Sequence, residues 1–197
     1  MRESPFSLQS TKFMKKNMFL SFLCILLTAC SGQGSRQNST SSRQQYRTTA
    51  PSLLYFKNIR SINYEQSEQP GARIELYRLR QFSQPAKEHV LIPVIANNWL
   101  EDEAFIFLEP VDFGQPWAQP LTVRWQGEKD SGLYRLQPAN VDKQYELALQ
   151  LYESLLAGHQ LNALAADSTW APLMESKNTR GYYLTTIRDY LRLTEAL

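Results

Sequence analysis

Hydrophobic and polar positions divide the chain into four stretches of different rhythm. An apolar run occupies Met18 to Leu27, and residues 31–50 are then almost wholly polar, with Tyr46 their only large apolar side chain. From Pro51 onward, aromatic and β-branched residues recur at the short period of strands. This pattern predicts a strand in 54–62 and a second in 72–80 with Ile74 and Leu76 inward, joined as a hairpin through the polar 65–71, which contains Pro70-Gly71. A third strand is expected in 89–96, at an edge or bulged because Pro93 has no N–H to donate, with a turn beginning at Asn97-Asn98. Residues 104–108 read as a strand buried on both faces, followed by a proline-rich loop, 110–120, that carries Trp117. A last hairpin pairs 121–125 with 133–136 through the glycine-containing 127–132, and its inward set reads Val123, Trp125 and Leu133.

After residue 140 the period lengthens. Asn140 is a good N-cap, and Val141, Tyr145, Ala148, Tyr152 and Leu155 form an apolar stripe at spacings of three and four, with Gly158 placed to end the helix. Residues 161–170 suggest one more strand. From Thr179, the residues Tyr183, Ile187, Tyr190, Leu191 and Leu193 predict a second amphipathic helix, with Arg180, Arg188, Asp189, Arg192 and Glu195 outward. Strands first and helices last imply an α+β fold, a mainly antiparallel sheet of about five to seven strands packed by two C-terminal helices.

The run at Met18–Leu27 changes how the composition is read. Lys15-Lys16 precede it, and Leu27-Thr28-Ala29-Cys30 follow, so positive charge, a short apolar core and small residues lead to one cysteine. The core is too short for a spanning helix, which needs about 20 apolar residues. Three segments are therefore expected: a leader, 1–29; a cysteine and flexible tether, 30–50; and one domain, 51–197. Met14 would give the leader a compact start.

Cleavage before Cys30 leaves 168 residues, enough for one domain. The whole chain has 21 basic and 19 acidic residues, but the leader takes four bases and one acid, so the remainder carries 17 against 18. The basicity belongs to the leader, and no nucleic-acid partner is expected. Cys24 and Cys30 are the only cysteines, which leaves none for a thiol nucleophile or thiolate metal site in the domain.

Candidate chemistry is sparse. His89 and His159 have no metal-ligand spacing, no cofactor is expected, and His159 suits the C-terminal end of a helix. Glu101, Asp102, Glu103, Glu109 and Asp112 concentrate negative charge. Alternation along a strand would set Glu101 and Glu103 about 6.7 Å apart, within the range of glycosidase carboxylates but also that of any solvated acidic face. Trp99 and Trp117 fall in expected loops, where large flat side chains can form a contact surface for sugars, peptides or a partner protein.

Residues 14–31, through Lys15-Lys16 and Cys30 to Ser31, resemble the type II signal of bacterial lipoproteins. That resemblance implies diacylation of Cys30, with anchoring made persistent by several acyl chains. Ser31, rather than aspartate, implies an outer-membrane destination. Residues 31–37 hold no acid, unlike the surface-export signals of some Bacteroidota, so the implied face is the periplasm. Residues 55–61 and 98–104 resemble uncharacterised Bacteroidota proteins, a likeness that carries no activity. Three readings follow: a non-catalytic envelope subunit with an envelope protein partner, a cell-wall or glycan-binding module using Trp99 and Trp117, and a hydrolase using Glu101 or Glu103.

Overall fold

The computed structural model describes residues 44–69, 71, 73–83, 88–111, 120–136 and 140–197. The expected leader, Cys30, most of the expected tether and Trp117 lie outside these residues. Between Ser42 and Leu197 the chain forms one compact unit.

The first helix, α1 (Ala50–Tyr55), runs into a π-helical turn at Phe56–Arg60 and a 3-10 turn at Ser61–Asn63. A strand was the expectation for 54–62, and the local caps explain the difference. Thr49 accepts from the Ser52 N–H while Ser52 accepts from the Thr49 N–H, a reciprocal capping box, and Pro51 supplies a preset helical φ. The β-branched Ile59 and Ile62 are exposed and so contribute no sheet packing that could outweigh those caps.

β1 (Tyr64–Gln69) occupies the polar stretch expected to turn, and β2 (Ile74–Leu79) follows it as the second arm of the hairpin. As an edge strand with five exposed positions, β1 takes polar side chains without cost. The phase of β2 is opposite to expectation: Tyr77 and Leu79 are buried, whereas Ile74 and Leu76 are only half-buried on the other face. A two-residue period decides which residues share a face and leaves open which face meets the core.

β3 (Val90–Asn98) lies between β2 and β4 (Glu103–Val111), giving an antiparallel sheet in the order β1-β2-β3-β4. Pro93 is therefore interior rather than at an edge. It is tolerated because the last β2 rung is Arg78 with Val94, one residue short of the proline. Opposite it, Leu108 donates its N–H away from β3, to Gln144 Oε1, so this pair exchanges no ladder bond that a proline could break. Asn97 and Asn98 continue β3, and the turn is Trp99–Asp102. On β4, Ile106 and Leu108 are buried, while Phe105 and Phe107 on the opposite face are half-buried.

A second antiparallel sheet corrects the expectation of a single one. β5 (Leu121–Gln126), β6 (Ser131–Leu136), β7 (Gln160–Leu164) and β8 (Trp170–Pro172) are ordered β6-β5-β7-β8. The single strand expected in 161–170 is thus two short ones. Leu133 is exposed, and Tyr134 and Leu136 take the inner face of β6 instead. Among the described residues, the backbones of the two sheets meet where the Met174 N–H donates to the His89 carbonyl in a parallel bridge.

Helix α2 (Val141–Leu156) starts as expected, with Asn140 Oδ1 accepting from the N–H groups of Asp142 and Lys143. It closes on Gly158 at φ +78°, with the His159 N–H bonded to the Ser154 carbonyl. α3 (Lys177–Leu193) begins on Ser176, whose hydroxyl accepts from the Thr179 N–H. It packs against α2 and the core face of β3 and β4. Tyrosine hydroxyls fasten this core: Tyr183 donates to the Ala148 carbonyl and Tyr190 to that of Ala104.

Asp189, expected outward on α3, is 5% exposed. It accepts Arg60 Nε at Oδ1 and Arg60 Nη2 at Oδ2, both at 2.9 Å, and the Tyr64 hydroxyl at 2.8 Å. One carboxylate thus joins α3, the π-helical turn and the start of β1. Removing a partner from a buried charge pair costs about 3–5 kcal/mol. Asp189→Ala should accordingly lower the unfolding free energy by about 4 kcal/mol, and Tyr64→Phe by about 1.5 kcal/mol, for one hydroxyl donor to a charged acceptor. Urea titrations followed by circular dichroism would check both values. Equal losses in the two variants would show that the ion pair does not organise this corner.

Candidate functional site

The folded body begins before Pro51. Tyr46 is 4% exposed, packs against Phe105 at 5.1 Å and Tyr145 at 5.6 Å, and donates its hydroxyl to Asp142 at 2.6 Å. Burial and the Asp142 carboxylate raise that hydroxyl well above the ordinary tyrosine range. Residues 44–49, expected in the tether, are thus docked, because the one large side chain of a polar stretch finds an aromatic slot. Ala104 N–H donates to the Tyr46 carbonyl and Thr48 N–H to that of Asp102, so this segment covers the outer edge of β4.

These bonds set the turn Trp99–Asp102 immediately beside Thr49, the N-cap of α1. Ser52 Oγ then donates to the Leu193 carbonyl, and Arg192 reaches the Tyr55 hydroxyl at 3.1 Å, which fixes α1 on the end of α3. With Phe56 and Arg60 turned inward, the outer arc of the segment carries Leu54, Tyr55, Asn58, Ile59 and Ile62. At roughly 100° per residue, slightly less through the π turn, those five fall within about a third of the helical circle. Trp99 and Leu100 are also exposed.

A part-buried polar cluster joins the π-helical turn to β2 and β3. Glu75 accepts from Lys57 Nζ, the Tyr77 hydroxyl and Asn97 Nδ2, each at 3.0–3.1 Å. Burial alone would raise the Glu75 carboxyl, but these three donors outweigh it and hold its pKa below the ordinary value. Asn97 is fully buried, and its Oδ1 has no hydrogen-bond partner.

The opposite end of β3 leads, through the His89 bridge, to the second sheet. There two adjacent clefts meet at Gly158 and Gln160. One, of about 720 Å³, is lined by Gln126, Glu128, Lys129, Asp130 and His159. The other, of about 470 Å³, is lined by Asn162, Glu175, Lys177 and Arg180. His159 does follow the helix end, but its ring lies flat on Trp125 at 4.7 Å, with Nδ1 3.4 Å from Ser154 Oγ. On the other face of this sheet the Arg124 guanidinium sits 4.6 Å over Trp170.

Of the candidate residues, Trp99 is exposed in a turn, whereas Trp117 and Cys30 lie outside the described residues. Glu101 is exposed in that same turn and Glu103 is the half-buried first residue of β4, opposite Asn98 and bridged to Arg47. Among the described residues, no three His, Cys, Asp or Glu side chains gather to hold a metal ion. Sequence reasoning missed the end of α1 because Leu54, Ile59 and Ile62 look like inward strand residues until the helix is known. Comparison with known protein families, curated proteins and solved structures gives no match.

Because the folded-state pKa of Glu75 is depressed, its stabilisation is present in full above the ordinary value of 4.5 and is lost as pH falls through the lower folded value. Glu75→Gln should flatten the acid limb of the stability profile below about pH 5. Urea midpoints measured between pH 3 and 7 would show it; parallel acid limbs would exclude Glu75 as a contributor.

Proposed function

We propose that the chain is an envelope lipoprotein, acylated at Cys30 and held on the periplasmic face of the outer membrane, with a non-catalytic domain that binds a protein partner. The leader pattern of Lys15-Lys16, the apolar run and Leu27-Thr28-Ala29-Cys30 supports the anchor. The observation that carries the binding role is the pair of joined clefts at Gly158–Gln160. Their lining of amides and charges of both signs, from Gln126 and Asp130 across to Asn162, Lys177 and Arg180, suits the backbone and side chains of a polar peptide segment.

Such a surface recognises its partner by hydrogen bonds and charge, so reversing its cations weakens the complex. The partner is captured by a photo-crosslinking residue placed at Asn162 of the full chain in intact cells. Adding Lys177→Glu and Arg180→Glu should reduce the yield of the captured species at least tenfold, of the order expected for about 1.4 kcal/mol or more. Equal capture from Gln66, on the edge of the first sheet, would sink the cleft as the binding surface. Intact mass of the membrane-extracted protein tests the anchor separately, with acyl chains on Cys30 as the expected result.

A further inference from the structure

Among the described residues the two sheets have four edge strands, and three of them are blocked. β1 presents the charges of Glu65 and Glu68, β4 is covered by residues 46–48 and by Gln144, and β8 is three residues long and ends in Pro172. Charge, cover and shortness are the ordinary means of keeping a sheet edge from pairing with another chain. β6 is the exception. It runs six residues, Arg135 is its one charge, and Leu133 exposes 52% of its surface.

The ladder decides which backbone groups that edge leaves open. The Gly127 N–H donates to the Asp130 carbonyl, and antiparallel pairs alternate between bonded and unbonded, so Trp125 with Gly132 and Val123 with Tyr134 exchange the bonds. Leu133 and Arg135, opposite Arg124 and Thr122, therefore turn their N–H and C=O groups away from β5. The same alternation sends Arg124 and Gln126 toward β7, where they pair with Asn162 and Gln160. Among the described residues neither Leu133 nor Arg135 finds a main-chain partner on the open side, and the Arg135 guanidinium makes no ion pair.

These groups border a groove of about 360 Å³ between β6 and α2, walled on the helix side by Lys143, Glu146, Leu147 and Gln150. Lys143 and Glu146 are paired at 2.6 Å, which leaves Arg135 as the unbalanced charge of the groove. A second copy pairing through its own β6 would bring its α2 into the same slot, whereas a single extended strand enters alone. Residues 31–43 of this chain hold no acid and no large apolar side chain to meet Arg135 and Leu133.

We infer that β6 accepts an extended segment of a partner protein as an added antiparallel strand, with an acidic side chain opposite Arg135 and an apolar one opposite Leu133. Antiparallel order puts the acid two residues before the apolar residue. The residue between them turns inward with Tyr134, toward Leu147 and Gln150. Main-chain bonds supply the affinity of such an addition, and the alternate side chains supply its selectivity. This surface is separate from the clefts at Gly158–Gln160 and depends on neither them nor the anchor.

The test adds the peptide acetyl-Thr-Thr-Glu-Val-Leu-Thr-Thr-amide to the full chain in detergent and follows hydrogen–deuterium exchange by mass spectrometry. Strand addition predicts a Kd below about 1 mM, with exchange slowed at least tenfold for two amides of the fragment 131–136. Arg135→Glu should weaken binding at least tenfold, and the peptide with lysine in place of glutamate should restore it. Leu133→Pro, which an open edge position tolerates, should abolish it. No protection at about 1 mM peptide overturns the proposal, as does protection confined to fragments around 158–162 or indifferent to the charge exchange. Slow exchange of the same two amides without peptide would mean an edge already occupied, by a second copy if it depends on protein concentration and by the chain itself if it does not; either result overturns the proposal.

Discussion

The carboxylate of Asp189 has almost no access to water, so its charge must be met from inside the protein, and the rest of the N-terminal architecture follows from how that is done. A two-point Arg60 guanidinium and the Tyr64 hydroxyl supply three donors to its two oxygens. A buried charge pays a large desolvation cost unless it is paired and hydrogen-bonded at once. Arg60 can reach Asp189 only from a chain that crosses the end of α3, and Tyr64 only if β1 starts directly afterward. The requirement therefore fixes residues 50–64 against the core.

Holding that segment in place decides which of its side chains face out. Phe56 fills the space between Tyr64 and Tyr77, Arg60 points to Asp189, and Lys57 turns to Glu75. Leu54, Ile59 and Ile62 are what remain. Their exposure is a consequence of polar anchors on the inner side, which outbid the hydrophobic gain of burying the aliphatics. On the other end, the bridge between His89 and Leu173 and the packing of α2 join the second sheet to the first.

The parts legible in the sequence were those governed by local chemistry. Asn140 and Gly158 bracket α2 because a side-chain cap and a positive φ are properties of single residues. The hairpin of β5 and β6 and the stripe of α3 were equally plain. Failures came where a pattern had two consistent solutions. Ile59 and Ile62 fit a strand or the outer side of a helix, Ile74 and Tyr77 belong to opposite faces of β2, and the polar 64–69 make an edge strand only because β2 lies beside them.

The amino-acid order alone determined the placing of two lysines, an apolar run and small residues before Cys30, the change from strand rhythm to helix rhythm near residue 140, and an α+β composition, since each depends on neighbours within a few residues. Tertiary structure decided that the strands divide into two sheets, that Asp189 is buried, that Tyr46 belongs to the folded body, and that α1 is tied to the end of α3 through Ser52 and the Leu193 carbonyl. Each of those is a contact between positions far apart in the chain, and its free energy exists only once both partners have been brought together.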